Sequence, residues 1–153
     1  MLTNGKRRGR AGRAIAVLAL AATLAVGCSG SDKGGSGVGG GQKVDIADSE
    51  FTDGTGEAEV DVAVADNTFE PPNLRIDAGS TVVWTNVGRN QHNVQPSTTD
   101  AFQGVATTDF APGQSHSVTF EQAGDYQYYC SIHGTKKGAG QSGVIRVVSP
   151  EAS

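Results

Sequence analysis

Asp125-Tyr126-Gln127-Tyr128-Tyr129-Cys130 is dense in aromatic residues and follows an Ala123-Gly124 turn signal, the pattern of a β-strand. With a side-chain period of two, Tyr126, Tyr128 and Cys130 share one face and Tyr129 points the other way. Similar strand patterns extend outward from this run. Ser115-His116-Ser117-Val118-Thr119-Phe120 precedes it and Gly143-Val144-Ile145-Arg146-Val147-Val148 follows. Further upstream, Thr81-Val82-Val83-Trp84-Thr85-Asn86 follows Ala78-Gly79, and Val60-Asp61-Val62-Ala63-Val64 alternates small apolar with other residues. Helical periodicity is almost absent. Short strands punctuated by Gly, Pro and Asn predict an all-β sandwich or barrel of seven or eight strands. Residues 87–113 are the least regular part, expected to hold a long loop or a short helical turn.

These strands occupy residues 58–150, enough for one small domain. What precedes them has another character. Residues 1–27 carry Lys6, Arg7, Arg8, Arg10 and Arg13 ahead of an apolar run from Ala14 to Val26. That run is too short to span a bilayer as a mature helix and fits a cleaved export signal. Leu24-Ala25-Val26-Gly27-Cys28 resembles the lipobox of bacterial lipoproteins, which implies acylation of Cys28. An ordinary signal cleaved near Gly27 is the alternative. Residues 28–57 are rich in Gly, Ser and Asp, with Gly39-Gly40-Gly41, and read as a flexible linker that buries too little apolar surface to fold. Removing the signal takes away five of the twelve basic residues. The seven that remain stand against sixteen acidic ones, a net charge of −9 before histidine. That excludes a nucleic-acid binder, which needs a basic face.

If Cys28 is acylated, the domain holds one cysteine, Cys130, and no internal disulfide. Cys130-Ser131-Ile132-His133 leaves the end of a strand, and His92 follows another strand near a Gly88-Arg89-Asn90 turn. A thiolate with two imidazoles is the trigonal donor set of blue-copper centres, which a weak axial ligand completes.

At these residues the chain resembles the cupredoxins, in particular the plastocyanin, pseudoazurin and amicyanin group. The matching blocks are Phe69-Glu70-Pro71, Thr81 to Asn86, His92-Asn93-Val94, Gly124 to Gly134 and Gly143 to Val147. The resemblance implies a Greek-key β-sandwich with His92, Cys130 and His133 as equatorial ligands of one copper. It also implies that the backbone N–H of Asn93 points at the ligand sulfur. The family normally has an axial Met, but the only Met here is Met1. Gln141, in Gly140-Gln141-Ser142-Gly143, aligns with that position. An axial Gln occurs in the stellacyanin branch of the superfamily, and its harder oxygen favours Cu(II). A Gln141 that merely faces solvent is the alternative.

The implied function is single-electron transfer between redox partners by a monomeric, non-enzymatic protein. Together with the signal and the lipobox, this places the domain on the extracytoplasmic face of a membrane, held by a lipid anchor. A copper carrier delivering metal to another exported protein would use the same ligands. An enzyme with Cys130 as nucleophile would need the same thiolate–imidazole pair, but Cys-x-x-His with a distant His-Asn fits metal ligation better. With three His and one Cys, the domain lacks the extra ligands of copper oxidases, nitrite reductases and binuclear copper centres. His116 is expected at the surface, and Lys136 and Lys137 in a solvated loop near the metal end.

Overall fold

The computed structural model describes residues 44–150. The signal, Cys28 and the linker up to Lys43 lie outside the described residues. In chain order the strands are β1 (Thr52–Asp53), β2 (Glu59–Ala65), β3 (Thr68–Glu70), β4 (Asn73–Asp77), β5 (Thr81–Asn86), β6 (Gln95–Pro96), β7 (Ser115–Thr119), β8 (Gly124–Gly134) and β9 (Gly140–Val148). They form two sheets, ordered β1-β4-β9-β8-β6 and β3-β2-β5-β7. The all-β sandwich is therefore present. Its nine strands exceed the predicted seven or eight because β1 and β6 are two-residue pairings, too short to leave a period in sequence. The irregular stretch after β5 holds β6, a bridge between Val94 and Val105, and a 3-10 turn at Thr107–Asp109.

Alternation explains which face is buried. On β5, Val82, Trp84 and Asn86 are buried and their neighbours only partly so. On β8, Tyr126, Tyr128 and Cys130 all face the core. Trp84 bridges the sheets, edge-on to Tyr128 at 5.5 Å and stacked on Phe102 at 6.0 Å. Such aromatic pairs add about 0.5–1.5 kcal/mol each to the burial of their area.

The domain begins earlier than its composition implies. Of residues 44–57, expected to belong to the linker, 44–51 lie against the outer face of the five-stranded sheet and Thr52–Asp53 add β1 to its edge. Arg146 on β9 reaches the carbonyls of Val44 (3.1 Å) and Ile46 (3.5 Å) and the carboxylate of Asp48 (2.6 Å). Its guanidinium sits 4.1 Å from the centre of the Phe51 ring. Asp125 on β8 completes the knot, accepting two bonds of 2.8 Å from Arg146 and one of 2.8 Å from the Val44 N–H. Burying a charge is tolerable only with such partners. Specific hydrogen bonds hold this segment rather than a hydrophobic run, so composition alone does not reveal it.

Candidate metal centre

Strands β8 and β9 pair regularly until Tyr129 meets Ser142, after which the register shifts and Gly134 meets Gly140. Four residues of β8, Cys130 to His133, thus face a single residue of β9, Gln141. Cys130 is therefore not the end of its strand, as the sequence suggests, but the start of a bulge. Bulges re-aim side chains, and this one brings His133 back beside Cys130. Gly140 makes the approach possible: its φ is +73°, and a Cβ there would run into the carbonyl of His133.

The third residue arrives from the β5 end. The buried side chain of Asn86 donates to the carbonyl of Phe110 (2.9 Å) and accepts from the N–H of Gly88 (3.1 Å). This fixes the loop that delivers His92, whose ring is fully buried. Sγ of Cys130 lies 3.6 Å from Nδ1 of His133 and 3.9 Å from Nδ1 of His92. All three donor atoms fall within 4.8 Å of one another. Separations of this size suit three ligands each about 2.0–2.3 Å from a shared transition-metal ion. One soft thiolate and two imidazoles are also the chemistry that copper prefers, so the residues fit the metal.

Gln141 is buried too, which removes the solvent-facing alternative. Its Nε2 donates to the carbonyls of Ala65 (3.0 Å) and Thr68 (2.9 Å), which uses both amide hydrogens. The amide cannot flip without setting oxygen against two carbonyls. Its Oε1 must therefore face inward, and it lies 3.0 Å from Nδ1 of His92.

Asn93 contributes through its side chain. Its side chain donates to Oγ of Ser131 (2.8 Å) and accepts the Ser131 N–H (2.8 Å), clamping the residue after Cys130 to the one after His92. Asp66, in the β2–β3 turn, is a neighbour that the sequence does not signal. Its Oδ1 is 3.6 Å from Nε2 of His92. The backbone N–H groups of Asn90 and Arg89 hold its carboxyl down at about 2. His116 takes no part: it is partly buried beside Trp84, with Nε2 2.8 Å from the carbonyl of Gln103. Lys136 and Lys137 lie in the exposed β8–β9 turn.

A two-sheet sandwich with this donor set at one end is the architecture of a single-copper protein. The family model described as copper binding proteins of the plastocyanin/azurin family matches residues 56–148, and the chain belongs to that family. These cupredoxins are blue-copper electron-transfer proteins that bind one copper and are not enzymes. Plastocyanin of Scenedesmus fuscus is 39% identical over 87 residues, which cover 52% of this chain and 85% of that protein. Amicyanin-alpha of Methylorubrum extorquens is 37% identical over 79 residues, covering 51% of this chain and 66% of that protein. Two solved structures of reduced amicyanin variants superpose with a TM-score of 0.50 each. They are 27% and 26% identical and cover 60% of this chain and 84% of theirs.

Proposed function

We propose that this domain carries single electrons between redox partners at the outer face of a membrane, with one copper that His92, Cys130 and His133 would hold and Gln141 would join as a fourth, weaker ligand. The observation that carries the reading is the convergence of one thiol and two imidazole Nδ1 atoms beside an amide oxygen that cannot turn away. Copper, when bound, supplies a Cu(II)/Cu(I) couple.

The residues around the site support exchange of electrons more than exchange of metal. Cys130 offers a soft thiolate, and in this reading the backbone N–H of Asn93, the residue after His92, donates to its sulfur. The side chain of Asn93 and the anchored amide of Gln141 hold the donors in one arrangement, so little has to move as the charge changes. Buried His92 closes the site on the inside. His133 is only half-buried and gives the shortest way to the surface, next to Ile132, which is 51% exposed. Val87, 59% exposed, stands at the start of the loop that carries His92. Exposed apolar side chains near the site give a partner something to press against, with the charges of Arg89, Lys136 and Lys137 around them.

Loading the purified domain with Cu(II) tests this. An intense thiolate-to-copper band in the visible region, with electron self-exchange faster than copper loss to a chelator, is expected. A colourless product, or copper that leaves faster than electrons do, would replace electron transfer with copper delivery. For the anchor, Cys28→Ala should move the protein from the membrane fraction to the soluble exported fraction. An unaltered protein that is already freely soluble would remove the lipid anchor from the proposal.

A further inference from the structure

His92 presents its two ring nitrogens to different surroundings. Nδ1 faces the thiol and the amide oxygen, whereas Nε2 is buried and has no hydrogen-bond partner within 3.5 Å. The nearest carboxylate oxygen is Oδ1 of Asp66, at 3.6 Å. Asp66 does not wander: it accepts the backbone N–H groups of Arg89 (2.9 Å) and Asn90 (3.1 Å), and its Oδ2 lies 3.3 Å from Nε of Arg89. Gly88 runs through the narrow space beside this pair. A Cβ there would stand 2.7 Å from Oδ1 of Asp66 and 2.9 Å from Nε2 of His92.

A neutral imidazole has one N–H and one lone pair, and its ligand nitrogen must be the lone pair. A carboxylate only accepts hydrogen bonds. Facing Nε2, it attracts a ring protonated there and repels one whose lone pair points at it. We infer that Asp66 is a positioning residue for the copper site: it holds the proton of His92 on Nε2, so that Nδ1 is free to bind the metal and the ring cannot rotate. Metal-bound histidines commonly use their second nitrogen this way, and a carboxylate partner makes the imidazole a stronger donor. A stronger donor favours Cu(II), so Asp66 lowers the reduction potential. Glycine at position 88 is what lets carboxylate and ring approach, since any side chain there would part them.

The inference rests on the copper-site reading above, and the experiment separates the two. Wild type, Asp66→Asn and Asp66→Ala are compared by voltammetry, by Cu(II) affinity, and by long-range proton–nitrogen NMR of the His92 ring in the Cu(I) protein, since without metal the Gln141 amide oxygen competes for a proton on Nδ1. Wild type should show a slowly exchanging Nε2–H. Asp66→Asn keeps an oxygen for the two backbone N–H groups but loses the charge. Its ratio of Cu(II) to Cu(I) affinity should fall about tenfold, an upward shift of about 59 mV for a one-electron couple. Asp66→Ala should lose the protected Nε2–H and about 10- to 100-fold in Cu(II) affinity. Arg89→Ala removes the ion pair of Asp66 but not its contact with His92, and should keep the wild-type Nε2–H signal. A colourless wild type would overturn the electron-transfer reading itself. A blue wild type whose Asp66 variants keep its potential and Nε2–H exchange, even with lowered thermal stability, would make Asp66 a loop cap and overturn this inference alone.

Discussion

Strands β8 and β9 carry two buried polar clusters on opposite faces of one sheet, and the clusters are closed in opposite ways. On the outer face, Asp125 and Arg146 are directly paired across the strands. The chain supplies all that this pair needs: two bonds between the charges, a second carboxylate from Asp48, and carbonyls from Val44 and Ile46. On the inner face, Cys130 and Gln141 meet His92 and His133, with a thiol, two ring nitrogens and an amide oxygen turned toward one another. These contacts use few of the lone pairs available, and a cation would use the rest. A cluster closed by opposite charges serves the fold; a convergent set of potential metal ligands serves a metal. Variants of the two clusters should therefore move different observables.

The largest effect is expected from Cys130→Ser. Serine keeps the shape but offers no thiolate at neutral pH, so the intense colour of the Cu(II) protein should vanish. Thermal unfolding of the metal-free protein should hardly change, because no structural bond is lost. A mutant that stays blue would remove Cys130 from the ligand set. The converse variant, Asp125→Ala, strips Arg146 of its main partner and loosens residues 44–51. Breaking a buried pair by deleting one member costs on the order of 3 kcal/mol. Urea unfolding should show this loss while the visible spectrum and potential stay those of wild type. A shifted spectrum would mean that the two faces are coupled through the sheet.

The same contrast explains what was legible in the sequence. Period-two alternation marks β2 and β5, each with one buried face, and the aromatic face of β8; β9 is buried on both faces and is legible through its β-branched residues instead. Cys130 and His133 stand out because a lone thiol three residues from a histidine is rare. His92 is legible as a histidine shortly after a strand, whereas Gln141 needed the family resemblance. The bulge between Tyr129 and Gly134 left no mark, since it depends on the mismatch of two strand lengths rather than on either strand. Asp66 was invisible: 26 positions separate it from His92, and an Asp in a turn has many duller explanations. The docked segment from Val44 reads as linker because many of its contacts run through backbone groups, which every composition possesses.

A smaller effect belongs to Gln141→Met. It replaces a hard oxygen by a soft thioether, so Cu(I) gains relative stability and the potential should rise; each 59 mV corresponds to about 1.4 kcal/mol. The colour should remain, because the equatorial set is untouched. The substitution also releases the carbonyls of Ala65 and Thr68 from Nε2, so a modest loss of thermal stability should accompany the shift. An unchanged potential would mean that the inward amide orders the loop without reaching the copper.

The smallest effect at neutral pH tests whether the core between the two clusters is only scaffold. Tyr128 is fully buried two residues before Cys130, and its hydroxyl donates to the carbonyl of Pro72 at 3.1 Å. That carbonyl also accepts the Val144 N–H at 3.0 Å, so Tyr128→Phe leaves it satisfied. The loss should be about 1 kcal/mol at pH 7, with colour and potential unchanged. In alkali the two proteins diverge. Burial pushes the Tyr128 phenol above its ordinary value, so the folded chain keeps a proton that the unfolded chain gives up above a pH of about 10. The unfolded state then binds fewer protons, and stability must fall as pH rises, by up to about 1.4 kcal/mol per unit for this one group. Below that pH the contribution is fully present. Tyr128→Phe removes this dependence and leaves the weaker one from Tyr126, which burial also raises. Unfolding curves at pH 7 and pH 11 should therefore show the variant less stable than wild type at the first and nearer to it, or above it, at the second. Parallel losses at both values would mean that the phenol is not held protonated by the core, and a shifted potential would mean that the core beneath Cys130 tunes the site.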